Sequence, residues 1–206
     1  MTDPMTDQAA IRDDIAFMRT LAEQGRTGPL VGGSVLLVSG LSFGSASLAV
    51  WADLTWKLSH SPWVIPGVWM AAMVIFMGYL FGSKVMRTRS GGASKALGLA
   101  WSGAGWAIFF VGLSLVVMAV HGKDGYVASA FMPFILSIYG SAWFLAAALT
   151  KTRWLYAVAF GSFAMALVVA WFASQGAALY LVYGLSLYGL AALPGGILAR
   201  QAGKAA

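Results

Sequence analysis

The chain has 206 residues, of which 60% are hydrophobic and only 10% charged, whereas a soluble domain carries about a quarter of its residues as Asp, Glu, Lys or Arg. That balance excludes an ordinary soluble fold. The formal net charge of +6 resides on cations that flank apolar stretches, so it points to a membrane and not to nucleic acid. No cysteine is present, which removes disulfides, thiolate metal sites and cysteine nucleophiles.

Residues 1–27 are mostly polar. Asp3-Pro4 or Asp7 supplies a helix start and Gly25 a stop, while Ile11, Ile15, Met18 and Ala22 recur at spacings of 4, 3 and 4, the stripe of an amphipathic helix. Three cations stand against five acids there. A helix that adsorbs to anionic lipid carries Lys and Arg on its polar face, so Ile11, Ile15, Met18 and Ala22 are expected to dock on protein. The dock is either this chain's own basic loop or a separate partner. The run Asp14-Ile15-Ala16-Phe17-Met18-Arg19-Thr20-Leu21-Ala22-Glu23-Gln24-Gly25-Arg26, leading into a glycine-rich stretch, resembles the N-terminus of uncharacterised multi-helix bacterial inner-membrane proteins. The resemblance is confined to that segment. It implies a bacterial inner membrane, but no activity and no site residue.

Six apolar stretches follow: Gly28–Ala52, Trp63–Ser83, Leu97–Val120, Tyr126–Thr150, Trp154–Ser174 and Ala177–Ala199. Each is long enough to cross about 30 Å of hydrocarbon. They lack the two-residue alternation of barrel strands, and lipid obliges backbone groups to pair internally, so each is expected to be an α-helix. The expected fold is an all-α polytopic membrane protein, a six-transmembrane-helix bundle over 28–199. A cytoplasmic arm precedes it and a short tail, 200–206, follows. Only Ser174-Gln175-Gly176 separates the last two stretches, which predicts a tight antiparallel hairpin of helices five and six. A shift of 67 places Pro66 on Pro133 and Lys84 on Lys151, but too few other positions coincide to establish a repeat.

With the N-terminus inside, that side collects eleven cations and the other only Lys57 and Lys123. Both termini are therefore expected in the cytoplasm. The loop containing Lys84, Arg87, Arg89 and Lys95 is the most basic; it sets topology and is a candidate contact for anionic lipid.

All seven acidic residues lie outside the six stretches. Proton-coupled carriers and pumps keep ionisable groups within the bilayer, and acid–base or metal-assisted catalysis needs groups that titrate or ligate; the interior supplies neither. The two histidines, His60 and His121, fall near the outer face, each in a loop that also holds an aspartate. They are weak metal or tetrapyrrole ligand candidates without a spacing motif, and no cofactor is expected.

Small residues are frequent. Gly40 and Gly44 form G-x-x-x-G in the first stretch, Ser137 and Ser141 repeat the spacing in the fourth, and Ser102-Gly103-Ala104-Gly105 makes a smooth patch in the third, which favours either packing within the bundle or contact with another copy. In the sixth, Tyr180, Gly184 and Tyr188 share a face with Tyr183 beside them. Ser137, Ser141, Tyr180, Tyr183, Gly184 and Tyr188 form the candidate ligand pocket. Pro194-Gly195-Gly196 is expected to interrupt that helix, either merely ending or kinking it near the interface or freeing the Leu190 carbonyl for a polar ligand. Trp69, Trp106 and Trp143 lie deep enough either to line a site for a flat hydrophobic molecule or to serve packing and lipid contact.

These features lead to the expectation of a non-enzymatic membrane protein acting through contacts. It would be an accessory, assembly or regulatory subunit of a complex or a homo-oligomer, surrounded by membrane lipid. The alternative is a facilitator for a neutral or hydrophobic solute.

Overall fold

The computed structural model describes residues 32–59, 61–83, 92–121 and 129–204, without the side chains of 92–97, 119 and 203–204. The helices are α1 (Gly33–Trp56), α2 (Val64–Gly82), α3 (Gly92–His121), α4 (Phe131–Thr150), α5 (Arg153–Trp171), α6 (Ala177–Leu187) and α7 (Leu193–Lys204), with a π turn at Tyr188–Ala192 between the last two. Because α6, the π turn and α7 run as one apolar rod, six helices are long and apolar enough to cross a membrane. The chain is a multi-pass membrane protein with an all-helical fold. The N-terminal arm with Ile11, Ile15, Met18 and Ala22, and Lys84, Arg87, Arg89 and His60, lie outside the described residues.

Several helix ends differ from the sequence reading: α5 stops at Trp171, short of Ser174, and α7 runs past Ala199 to Lys204, into the expected tail. α1 runs one turn past Ala52 to Trp56 and so takes in Asp53, whose carboxylate accepts the Ser59 N–H at 2.9 Å. Lys57 then closes the helix in the left-handed conformation, φ 50°, so that carbonyls with no onward helical donor are met by the turn itself. α3 starts at Gly92, which places Lys95 within its first turn instead of in a loop.

The packing resolves into two groups of helices. α1 is central to one, lying against α2 on one side and against α6, the π turn and α7 on the other; α4 is central to the second, between α3 and α5. The hairpin expected of helices five and six is not the main pairing. The turn at 172–176, with Gly176 at φ 59°, joins α5 to α6, yet α5 packs chiefly on α4 and α6 on α1.

Small residues explain the choice. A Cβ at Gly33 would fall 2.6 Å from the Ala199 nitrogen, at Gly195 2.7 Å from the Gly33 carbonyl oxygen, and at Gly184 3.1 Å from the Gly44 carbonyl oxygen; at Gly40 it would strike the backbone of Ala192. The α1 and helix-six backbones thus touch along their length, the approach that small-residue faces permit in lipid. The G-x-x-x-G pair of α1 is used inside the molecule. In the second group Gly140 of α4 receives the Phe163 ring of α5, and Trp143, Ala146 and Ala147 pack on Leu155 and Ala159.

Large side chains join the two groups. Leu36 and Leu198 of the first share a buried cluster with Trp143, Leu155 and Ala159 of the second, and Tyr183 and Leu187 share another with Met132, Leu136, Ala166 and Val169. By contrast α2 buries only Ala72, and α3 buries none of its described side chains. Their outward residues, among them Met70, Val74, Phe81, Trp106, Phe110 and Val116, are apolar, the surface that hydrocarbon requires.

Candidate functional site

The polar chemistry of the spans concentrates around helix six at the π turn. Pro194 has no N–H to offer the carbonyl four residues earlier, and its ring crowds that carbonyl. The chain does not break there. It widens into the π turn, in which the Leu193 N–H donates to the Tyr188 carbonyl, and resumes as α7. The glycines after Pro194 do not end the helix either: Gly195 lies against the Leu37 nitrogen and the Gly33 carbonyl of α1.

The Leu190 carbonyl, a candidate contact for a polar ligand, is already taken. The Trp143 indole N–H of α4 donates to it at 2.9 Å, and Trp143 is fully buried, with Trp101 of α3 edge-on at a 4.9 Å ring separation. Such a bond ties the two helix groups together at the one carbonyl that proline deprives of its helical donor.

The face Tyr180, Gly184, Tyr188 is turned to α1. Ser47, fully buried, donates to the Tyr180 carbonyl at 2.7 Å. Gly184 meets Leu48 and Gly44, and the Tyr188 ring lies over Gly44 with its hydroxyl 2.6 Å from the Ser45 hydroxyl. Tyr183 turns the other way and is buried between the groups. There Tyr139 of α4 packs against the same cluster and faces Ser39 of α1.

The remaining candidates do not converge on one pocket. Ser137 donates to the Pro133 carbonyl at 3.0 Å and Ser141 to the Ser137 carbonyl at 3.1 Å, so both hydroxyls serve their own helix. Of the three deep tryptophans, Trp143 is core, Trp69 stacks on Phe43, and Trp106 is outward beside Phe109 and Phe110. His121, exposed at the end of α3, has Nδ1 3.0 Å from the Val117 carbonyl oxygen. Among the described residues no group of three or more His, Cys, Asp or Glu side chains is placed to hold a metal.

Sequence reasoning missed Ser45, Ser47 and Tyr139. The first two follow Gly44 in the chain, but the spacing of small residues does not say what that side of the helix meets. Comparison of the chain with protein-family models, curated proteins and solved structures gives no match.

Proposed function

We propose that the protein acts through contacts within the membrane, as a non-catalytic subunit or assembly factor of a larger complex or as a homo-oligomer. In this reading it resides in a bacterial inner membrane with both termini in the cytoplasm. The observation that carries the reading is the placement of α2 and α3: among the described residues each packs chiefly on one neighbour and leaves the rest of its surface unopposed. On α3 that surface combines Gly98, Gly103 and Gly105, where an added Cβ would meet nothing within 4 Å among the described residues, with the outward rings of Trp106, Phe109 and Phe110. Small residues beside large ones on one helix suit docking by another transmembrane helix. A non-catalytic role is supported by the sequence of the spans, whose only charged or imidazole side chains sit at helix ends, in Asp53, Lys95, His121, Arg153, Arg200 and Lys204.

The test is native mass spectrometry of the full chain extracted from its own membrane in mild detergent. A stoichiometric membrane-protein partner or a second copy is expected. Trp106→Ala combined with Phe109→Ala should remove it while the protein still inserts and purifies. The cytoplasmic arm is expected to strengthen the same contact, so Ile15→Asp with Met18→Asp should weaken it. A monomer carrying only lipid, in wild type and variants alike, would overturn the reading.

A further inference from the structure

We infer that the lipid-facing strip between α1 and α6 binds a lipophilic ring bearing carbonyl oxygens, of the alkylated quinone class, through the paired hydroxyls of Ser45 and Tyr188. This goes beyond the contact role and does not depend on it. The two oxygens are 2.6 Å apart, and either is able to donate to the other. Two hydroxyls carry two protons and several lone pairs; the mutual bond uses one proton, and among the described residues no acceptor meets the second.

At a water-exposed surface this would mean nothing, because solvent completes the bond. Here Ser45 is exposed on α1, with Leu41 and Ala49 one turn to either side on the same face. Tyr188 lies beside it on helix six, with the open Gly189 next in the chain and outward Leu185 three residues before. Exposure at this point is exposure to hydrocarbon, where a hydroxyl proton finds no water. Two other outward serines avoid the problem: Ser114 and Ser141 donate to the carbonyls four residues earlier on their own helices. Ser45 instead reaches across to helix six.

Depth selects the ligand. Ser45 lies 12 residues from Gly33 and 11 from Trp56, which at a rise of 1.5 Å per residue is about 17 Å from either end of α1. Tyr188 opens the π turn near the middle of the Ala177–Ala202 span. Phospholipid ester carbonyls lie at the edges of the roughly 30 Å hydrocarbon layer and do not reach this level. A molecule able to present an acceptor there must be soluble in the bilayer interior and carry its polar group on a largely apolar body. An alkylated quinone meets both conditions. Its carbonyl accepts the free proton, its reduced form donates to the hydroxyl oxygens, and its flat ring fits against the open Gly189. No chemistry on the ring is implied, only binding.

The test uses the full chain in phospholipid nanodiscs and a trifluoromethyl-substituted decylbenzoquinone as probe, followed by fluorine line broadening in NMR. A correspondingly substituted decylbenzene without carbonyls is the control for simple partitioning. Saturable broadening of the quinone signal alone is expected. Ser45→Ala combined with Tyr188→Phe should weaken it about tenfold, the loss of one hydrogen bond, whereas Ser45→Ala alone leaves the Tyr188 proton free and should weaken it less. Elution of the variants as wild type on size exclusion checks folding. Should the double variant fail to insert, Tyr188→Phe decides, since the Ser45 hydroxyl can then turn to its own helix as Ser114 and Ser141 do. Equal broadening with the decylbenzene, or unchanged affinity in the deciding variant, would overturn the inference.

Discussion

At Gly40 a single methyl group would meet the backbone of Ala192, and no rotamer change relieves a backbone clash. Gly40→Ala is expected to lower stability by about 1–3 kcal/mol, the cost of overpacking a close-fitted contact. Gly103→Ala, on the open face of α3, should instead be neutral or stabilise by about 0.5–1 kcal/mol, because alanine gives up less backbone freedom in a helix. Denaturation of the purified variants in an increasing mole fraction of SDS distinguishes the two. The residues flanking Gly40 and Gly44 also mark what was legible at this scale. That the glycines would be a contact face was evident from spacing; that Ser45 and Ser47 would make the cross-helix hydrogen bonds was not, because spacing says which residues share a face and not what they meet.

Helix six shows how one residue shapes an element. Pro194 leaves the Leu190 carbonyl without a helical donor, the π turn accommodates the ring, and the Trp143 indole supplies the missing proton. Trp143→Phe should therefore cost about 1–3 kcal/mol, the range for leaving a buried acceptor unsatisfied. Pro194→Ala restores an N–H four residues after Leu190 and should let the π turn relax to α-helix, which competes with the indole for the same carbonyl. In a double-mutant cycle the tryptophan substitution should then cost less in the Pro194→Ala background than alone. Strict additivity would show that proline and indole are not coupled. The orphan carbonyl itself was readable from Pro194; its partner, 47 residues away in sequence, was not.

For the molecule as a whole, sidedness follows from the distribution of cations along the chain, which the helix positions leave unchanged. With no native cysteine, single-cysteine variants need no background removal. A cysteine at Gly125 should react with an impermeant maleimide added outside intact spheroplasts, and one at Gly92 should react only after the membrane is opened. The reverse pattern would invert every assignment of inside and outside. The division into two helix groups joined by large side chains adds an expectation about α2 and α3: being peripheral, they tolerate change on their outer faces better than α1, α4 or helix six.

Six membrane-crossing helices were determined by the sequence alone. Length and hydropathy decide whether a segment enters lipid, and lipid leaves an isolated segment no way to satisfy its backbone except as a helix. Both conditions are local, so they can be read from one stretch at a time. Which helices embrace was decided only in the tertiary structure. In hydrocarbon every helix is about equally apolar, and no burial of apolar surface from water separates one partner from another. The choice falls to shape and to single hydrogen bonds: Gly33, Gly40 and Gly44 against Gly184, Ala192 and Gly195, and Trp143 against Leu190. Those pairings join residues more than a hundred positions apart, or two helices apart, and no local pattern announces them. Hence α5, though tied to α6 by a short turn, lies chiefly against α4, while helix six packs on α1 at the opposite end of the chain.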